Sequence, residues 1–458
     1  MRATPARNGS ALRVLAALAL ATLLAQGCAS TRREEPASPG SGSPTAPPPA
    51  PGAPPSEGIG PGPHSDAWKR VRAIRVGLAA GAGGVLVAGS KDWEVQRVDG
   101  GRIAREVGGA RLLLRRRGAG PVEVLEPGAK DALWFGGPGD TLRIVARDGG
   151  FVGWNGHWYR GTFRVFTSQP EGITLVNEVA LEGYLRSVLP NEIGTPRDGG
   201  YEAVKAQAVA ARSYTLGYLG RRADLGFDLW ATVEDQVYAG TTLENDLSDR
   251  ALDETRGEVL LCDGVPIRAL YSSACGGRTA NVEDVWPWSW TPYLRSVRDA
   301  DGAGATPWCT ASSSFRWREE WPVAGFLATL RQYGAGGAGD SATLAGNLLD
   351  VRVRSRSRCG RVQDLVVTTT SGELVVHGDR TRWALRRPGG SAILRSSLFK
   401  IGVARGADGS PARVIATGAG NGHGIGLCQW GALGMARAGR SYRDILSHYY
   451  EATTLARL

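Results

Sequence analysis

Glu192 is the first residue whose setting could do chemistry. It lies in Leu189-Pro190-Asn191-Glu192, between one apolar run at helical spacing and a second, Ala-rich one. A carboxyl pinned between apolar elements has its pKa raised. Such a group can donate a proton near neutrality and take one back. Position alone does not separate this reading from a solvated surface Glu. A second candidate is the segment Gly422 to Gly431, in which His423 and Gln429 are embedded among four glycines. So little side-chain bulk lets backbone approach a ligand or another strand closely. A tight packed turn with a structural His is the alternative. No HxxxH or CxxC spacing lies nearby, so His423 is not a zinc ligand by spacing, and no G-x-S-x-G elbow marks a serine hydrolase. Ser272, Ser273 and Thr279 flank Cys275-Gly276-Gly277, where a strand enters a turn and could display hydroxyls at a cleft.

The cysteines constrain the redox setting. With Cys28 set apart, five remain: Cys262, Cys275, Cys309, Cys359 and Cys428. An odd number leaves at least one unpaired or bridging two chains. Cys275 and Cys309 share one loop-rich, Trp-rich region and are the expected disulfide. In an exported protein Cys275 is then not a free nucleophile.

These residues need elements to hold them. Leu181, Tyr184, Leu185, Val188 and Leu189 give a helix that Pro190 should end, leaving Glu192 in a loop. Tyr201 to Leu219 reads as a buried helix, with Lys205 and Arg212 seven apart on one face. Asp263-Gly264 joins a hairpin, and a last helix lies near Tyr442 to Tyr450. Residues 67–157 read as a small β-rich domain of short strands and Gly-rich turns. Its Ala79 to Gly84 stretch lacks the Lys-Ser/Thr of a phosphate loop. The fold class is mixed α/β (α+β), with a second domain over 158–458.

The first 66 residues are different in kind. Arg2, Arg7 and Arg13 precede an apolar run from Val14 to Ala25, too short to span a bilayer but right for a signal-peptide core. It ends in Gln26-Gly27-Cys28, which resembles a lipoprotein processing site with Cys28 as the lipidated residue; residues 1–28 form the leader. A Pro/Ser/Gly-rich linker over 29–66 follows. Fully extended, it would reach about 100 Å. The chain carries a net charge of +10. That total permits an anionic partner, but no nucleic-acid-binding motif is present, and no nucleic acid or cofactor is expected.

Taken together, the strings resemble the sporulation stage II protein D family (the SpoIID/LytB group). They are Val176-Asn177-Glu178-Val179, Leu181 to Leu185, Leu189 to Glu192, Ala203 to Tyr214, Asp235 to Gly240, Tyr271 to Thr279, Trp286 with Pro292-Tyr293-Leu294, and Gly422 to Met435, in that order. The resemblance implies a peptidoglycan lytic transglycosylase preferring glycan strands stripped of stem peptides, with Glu192 as its catalytic residue. It implies, for other relatives, non-catalytic enhancers of cell-wall amidases. Both readings stay open. A hydrolytic glycosidase needs two carboxylates, whereas a lytic transglycosylase can work with one. Asp235 is the nearest candidate for a second, and a turn-capping Asp is its other reading. Lys205, Gln207, Arg212, Asp235, Ser272, Ser273, Thr279, His423 and Gln429 are the expected substrate-binding or cleft-supporting residues.

Some relatives hold zinc with His and Cys near the strand that here reads Tyr271 to Cys275. This segment has no His and one Cys, so no metal is expected. The implied partners are glycan strands, a cell-wall amidase, and a membrane through the lipid anchor. The implied place is the cell envelope, on its exported or periplasmic side. Trp286, Trp288, Trp290, Trp308, Trp317 and Trp321 cluster after the Cys275 turn, as core filling or as platforms for sugar rings.

Overall fold

Alternation of apolar and polar side chains turns residues 73–180 into a run of strands. They are β1 (Ala73–Ala82), β2 (Gly84–Gly89), β3 (Trp93–Arg97), β4 (Arg102–Glu106), β5 (Arg111–Arg116), β6 (Val122–Leu125), β7 (Trp134–Phe135), β8 (Leu142–Ala146), β9 (Val152–Trp154), β10 (His157–Tyr159), β11 (Thr162–Thr167) and β12 (Ile173–Ala180). The computed structural model describes residues 66–458, apart from 138, 169–171, 197, 288–289, 335 and 337. Cys28, the leader and the linker expected from the sequence lie outside the described residues.

The strands make two sheets. One has seven strands in the order β13-β1-β12-β11-β8-β3-β4, where β13 (Leu229–Trp230) pairs parallel to β1. The other has the order β10-β9-β2-β5-β6-β7. Ile74, Val76, Val165 and Leu175 of the first join Val85, Val87, Leu112 and Leu114 of the second in one core. β11 and β12 lie beyond residue 158 yet pair with β8 and β1. The change of texture near 158 is therefore not a break in hydrogen bonding.

Two helices follow β12 directly. α1 spans Leu181–Ile193 and α2 spans Tyr201–Gly217. Pro190 does not end α1: the helix runs three residues further, so Glu192 sits in its last turn rather than in a loop. A proline near a helix C-terminus sacrifices only one hydrogen bond. Asn191 Nδ2 caps the Ser187 carbonyl at 2.7 Å, and the chain leaves through Gly194 at φ +71°. α2 is buried along most of its length because it packs on α1, on α3 (Asp246–Glu254) and on the hairpin of β14 (Glu258–Cys262) and β15 (Val265–Pro266). Asp263 and Gly264 both have positive φ, as that tight hairpin turn requires.

A second core lies between the Trp308 turn and the Gly422 segment. It is built on β17 (Trp317–Pro322), α4 (Val323–Tyr333), α5 (Ala338–Ala345), β18 (Leu348–Arg356), β19 (Val362–Thr369), β20 (Gly372–His377), α6 (Arg380–Ala384), β21 (Phe399–Arg405) and β22 (Pro411–Gly418). Trp317, Trp321, Phe326, Leu330, Leu365 and Phe399 fill it.

The chain then returns to the first core. β16 (Tyr271–Ser272) pairs parallel with β23 (Leu427–Cys428), and α7 (Gln429–Arg437) packs on α2. α8 (Tyr442–Tyr449) starts from a Ser441/Asp444 capping box, and β24 (Thr454–Arg457) pairs with β14. Among the described residues no helix is long and apolar enough to cross a membrane.

Candidate active site

Glu192 is held where three elements converge. Its Oε1 accepts the backbone N–H of Val237 at 3.1 Å. The Tyr271 hydroxyl and the Gln429 amide also hydrogen-bond to the carboxyl. Those three donors favour the charged form, but burial outweighs them and pushes the carboxyl up to about 7. The residue nevertheless keeps partial exposure, so a ligand can reach it.

The donors are themselves fixed. Gln236 Nε2 donates to the Tyr271 hydroxyl at 3.0 Å, while Gln236 Oε1 accepts the hydroxyls of Tyr184 at 3.1 Å and Thr215 at 2.8 Å. Tyr271 thus has its acceptor role filled and its proton directed at Glu192. Tyr271 and Gln236 lie within the family-like strings Tyr271 to Thr279 and Asp235 to Gly240, but no spacing in the sequence marks either one.

His423 acts one step back. Its Nδ1 accepts the Ile425 N–H at 3.0 Å, so Nε2 carries the proton and donates to the Tyr271 carbonyl at 2.9 Å. Burial, with Arg382 and Arg361 adding to it, holds the imidazole down at about 3, so the ring is neutral. It packs on Trp286 at 5.0 Å between centroids. His423 thereby fixes the backbone of β16 rather than exchanging protons. Gly426, at φ +67°, lets this segment run against β16: a Cβ there would strike the Leu270 carbonyl.

The remaining expected residues are spread more widely. Arg212 is fully buried and forms a two-pronged pair with Glu182, both N···O distances 2.8 Å, and donates to the Glu258 carbonyl. Asp235 accepts Arg221 Nη1 at 2.6 Å and the Trp230 N–H at 2.8 Å. Lys205 pairs with Glu202 at 2.6 Å and lies over the rings of Tyr201 and Tyr442. Thr279 is buried between the carbonyl of Arg295 and the N–H of Val297. The Ser273 carbonyl accepts the Trp430 N–H. Gln207 and Ser272 are buried with side-chain polar atoms that have no partner in the protein. The structure therefore brings Glu192 and Gln429 together directly, and His423 through Tyr271.

Cys275 and Cys309 are neighbours, as expected, but they are not bridged. Their sulfurs lie 3.8 Å apart, against about 2.05 Å for a disulfide, and both are free thiols. Of the clustered tryptophans, Trp286, Trp317 and Trp321 are buried as packing, whereas Trp290 is 65% exposed. Trp288 lies outside the described residues.

A family model described as "Stage II sporulation protein" matches residues 169–261, which hold α1, α2 and the Asp235-Gln236-Val237 loop. A model described as a domain of unknown function matches residues 308–426, which contain the second core. An uncharacterized protein of Brachyspira hyodysenteriae is 31% identical over 303 residues, covering 66% of this chain and 73% of that protein. The amidase enhancer of Bacillus subtilis is 28% identical over 304 residues, covering 59% of this chain and 40% of the enhancer. Stage II sporulation protein D of Bacillus subtilis is 27% identical over 297 residues, covering 61% of this chain and 76% of that protein.

Proposed function

Because this chain belongs to the stage II sporulation protein D family, we propose that it is a peptidoglycan lytic transglycosylase with Glu192 as its single general acid and base. The observation that carries this reading is the Glu192 carboxyl, pushed up to about 7 by burial while three donors keep its anion accessible. A group so poised is protonated often enough to act as an acid and loses that proton without a large penalty.

The steps balance with one carboxyl. Protonated Glu192 gives its proton to the glycosidic oxygen as the bond to the muramic anomeric carbon breaks. The carboxylate, held by Val237 N–H, Tyr271 and Gln429, then takes the proton of the muramic 6-hydroxyl. That oxygen bonds to the anomeric carbon, closing a 1,6-anhydro ring. Asp235, the nearest candidate for a second carboxylate, is committed to Arg221 and the Trp230 amide rather than to a water beside Glu192. That arrangement supports intramolecular closure over hydrolysis. Glycan strands bare of stem peptides are the proposed substrate, and Gln429 is the proposed contact nearest the reacting bond. Export and attachment to a membrane through Cys28 belong to the same proposal.

The test is digestion of denuded glycan by the purified chain, followed by mass spectrometry for 1,6-anhydromuramic ends. Wild type is expected to make them and Glu192→Gln is not. Equal products from the two proteins, or none from either, would overturn the reading.

The likeness to an amidase enhancer favours a second reading, in which the chain binds glycan and stimulates an amidase without cleaving. That reading is supported by glycan retention without anhydro products, together with faster release of stem peptides by a cell-wall amidase. It fails if anhydro ends appear and amidase rates do not change.

A further inference from the structure

Outside the Glu192 site, the most unusual chemistry is a buried cluster of three thiols and a carboxylate. Cys275 follows β16, Cys309 lies in the turn after Trp308, Cys428 ends β23, and Asp299 precedes that turn. All four are buried, and their candidate ligand atoms lie within 4.8 Å of one another. We propose that Cys275, Cys309, Cys428 and Asp299 form a closed four-ligand structural site for a divalent metal ion of the zinc type.

The geometry fits that ion. With Zn–S bonds of about 2.3 Å, the edge of a sulfur tetrahedron is about 3.8 Å. The Cys275 and Cys309 sulfurs are 3.8 Å apart. Soft thiolates select zinc over magnesium or calcium, and a site with four protein ligands is closed rather than catalytic.

Backbone amides are aimed at the sulfurs, as they are around metal-bound thiolates. Cys428 Sγ accepts N–H bonds from Cys275 at 3.2 Å and from Gly431 at 3.3 Å. Cys275 Sγ accepts one from Gly277 at 3.4 Å, and Cys309 accepts one from Gly276. Gly276 and Gly277 have φ of +82° and +115°, a path that turns successive amides toward the sulfurs. Asp299 is aimed by Tyr449, whose hydroxyl donates to Oδ1, and by the Cys309 N–H, which donates to Oδ2 at 3.1 Å. Each carboxylate oxygen keeps a lone pair for a metal. A Cβ at position 431 would meet both Tyr449 and Asp299, so that glycine is what lets the carboxylate reach the start of α7. Arg361, buried and donating to the Cys275 carbonyl at 3.2 Å, sets a positive charge beside a cluster that would otherwise carry excess negative charge.

This ligand set has no histidine and draws on three segments far apart in sequence, which is why local spacing did not suggest it. It also accounts for the odd cysteine count: three sulfurs bind metal, leaving Cys262 and Cys359 elsewhere. The ion would tie the 299–309 loop and the β16 turn to the start of α7. Gln429, next to Cys428, meets Glu192 from there.

The full chain, purified without chelator or reductant, is expected to hold about one zinc per chain by elemental analysis. Exchange with cobalt should give the thiolate charge-transfer and tetrahedral absorption bands. Cys309→Ser and Asp299→Asn should weaken metal binding about tenfold or more, while Cys262→Ser should not. The wild-type cobalt spectrum decides the matter even if these variants fail to fold. Metal-free protein whose peptide map shows a disulfide among Cys275, Cys309 and Cys428 would overturn the site. So would Cys309→Ser protein with full metal and an unchanged cobalt spectrum. Neither result bears on whether Glu192 cleaves glycan.

Discussion

The hydroxyl of Tyr271 stands between Gln236 and Glu192: it accepts the Gln236 amide at 3.0 Å and donates to the carboxyl. Gln236 in turn is locked by Tyr184 and Thr215, so the hydrogen-bond direction is set from within the core. Tyr271→Phe keeps the ring and removes the donor. The Glu192 anion then loses one of its three stabilising bonds, and its pKa rises further above 7. If protonated Glu192 is the working acid, activity falls as pH rises through that value. The variant should lower kcat by about tenfold and move the falling limb upward by about one pH unit. A pH profile of anhydro-product formation checks both. A drop in kcat with an unmoved limb would mean that Tyr271 does not act on Glu192.

The raised Glu192 pKa also has a stability consequence. The folded protein holds this proton up to about 7, whereas an unfolded carboxyl releases it near about 4.3. Between those values the unfolded state becomes the better acid, so stability is lost as pH rises from about 4.5 to about 7. Above that window a buried anion remains. Glu192→Gln removes the charge and can still accept from Val237 and Tyr271. It should be more stable than wild type at pH 8 by on the order of 2 kcal/mol, with the difference gone at pH 4. Urea unfolding at the two pH values measures it. Equal stability at pH 8 would show that the carboxyl is solvated.

Much of this site was legible in the sequence because its parts are local. The apolar spacing of Leu181 to Leu189, the Ala-rich run from Tyr201 and the Asp263-Gly264 turn each report a neighbourhood of a few residues. What escaped is what tertiary context decides. Pro190 reads as a helix stop, yet the turn it sits in is the last one and Asn191 supplies a side-chain cap. Tyr271 and Gln236 gain their roles only when β16 meets the Asp235-Gln236-Val237 loop, 35 residues earlier in the chain. Arg212 is expected at the cleft because it falls in the family-like string Ala203 to Tyr214. Nothing in the sequence says that Glu182, 30 residues earlier, meets it. The second core, from Trp317 to Ala416, has no boundary signal of its own because it is entered and left through ordinary turns.

Arg212 yields a prediction that separates support from binding. Its guanidinium is fully buried, and both prongs are met by Glu182. Arg212→Ala leaves that carboxylate without its cation and should cost about 3–5 kcal/mol of stability. Lysine cannot reproduce the planar fork, so Arg212→Lys should recover less than half of the loss. Folded Arg212→Lys protein should keep the wild-type KM for glycan. An Arg212→Lys protein of wild-type stability with a raised KM would return this residue to the substrate.

His423 should be silent over the working pH range. Burial and the two nearby arginines hold its pKa near 3, and Nδ1 already accepts the Ile425 N–H. Protonating it would both bury a charge and break that bond. The ring therefore stays neutral from pH 5 to 9, and its NMR shifts should not titrate there. The pH profile of glycan cleavage should carry one ionisation near 7, from Glu192, and none near the usual imidazole value. His423→Gln can keep a donor to the Tyr271 carbonyl, and it should lower kcat without changing the shape of that profile. Its effect then comes through the placement of β16 and of the Tyr271 hydroxyl on Glu192. A His423 resonance that titrates between pH 5 and 7, or a profile that loses an inflection in His423→Gln, would assign the imidazole a proton-transfer role that this geometry denies it.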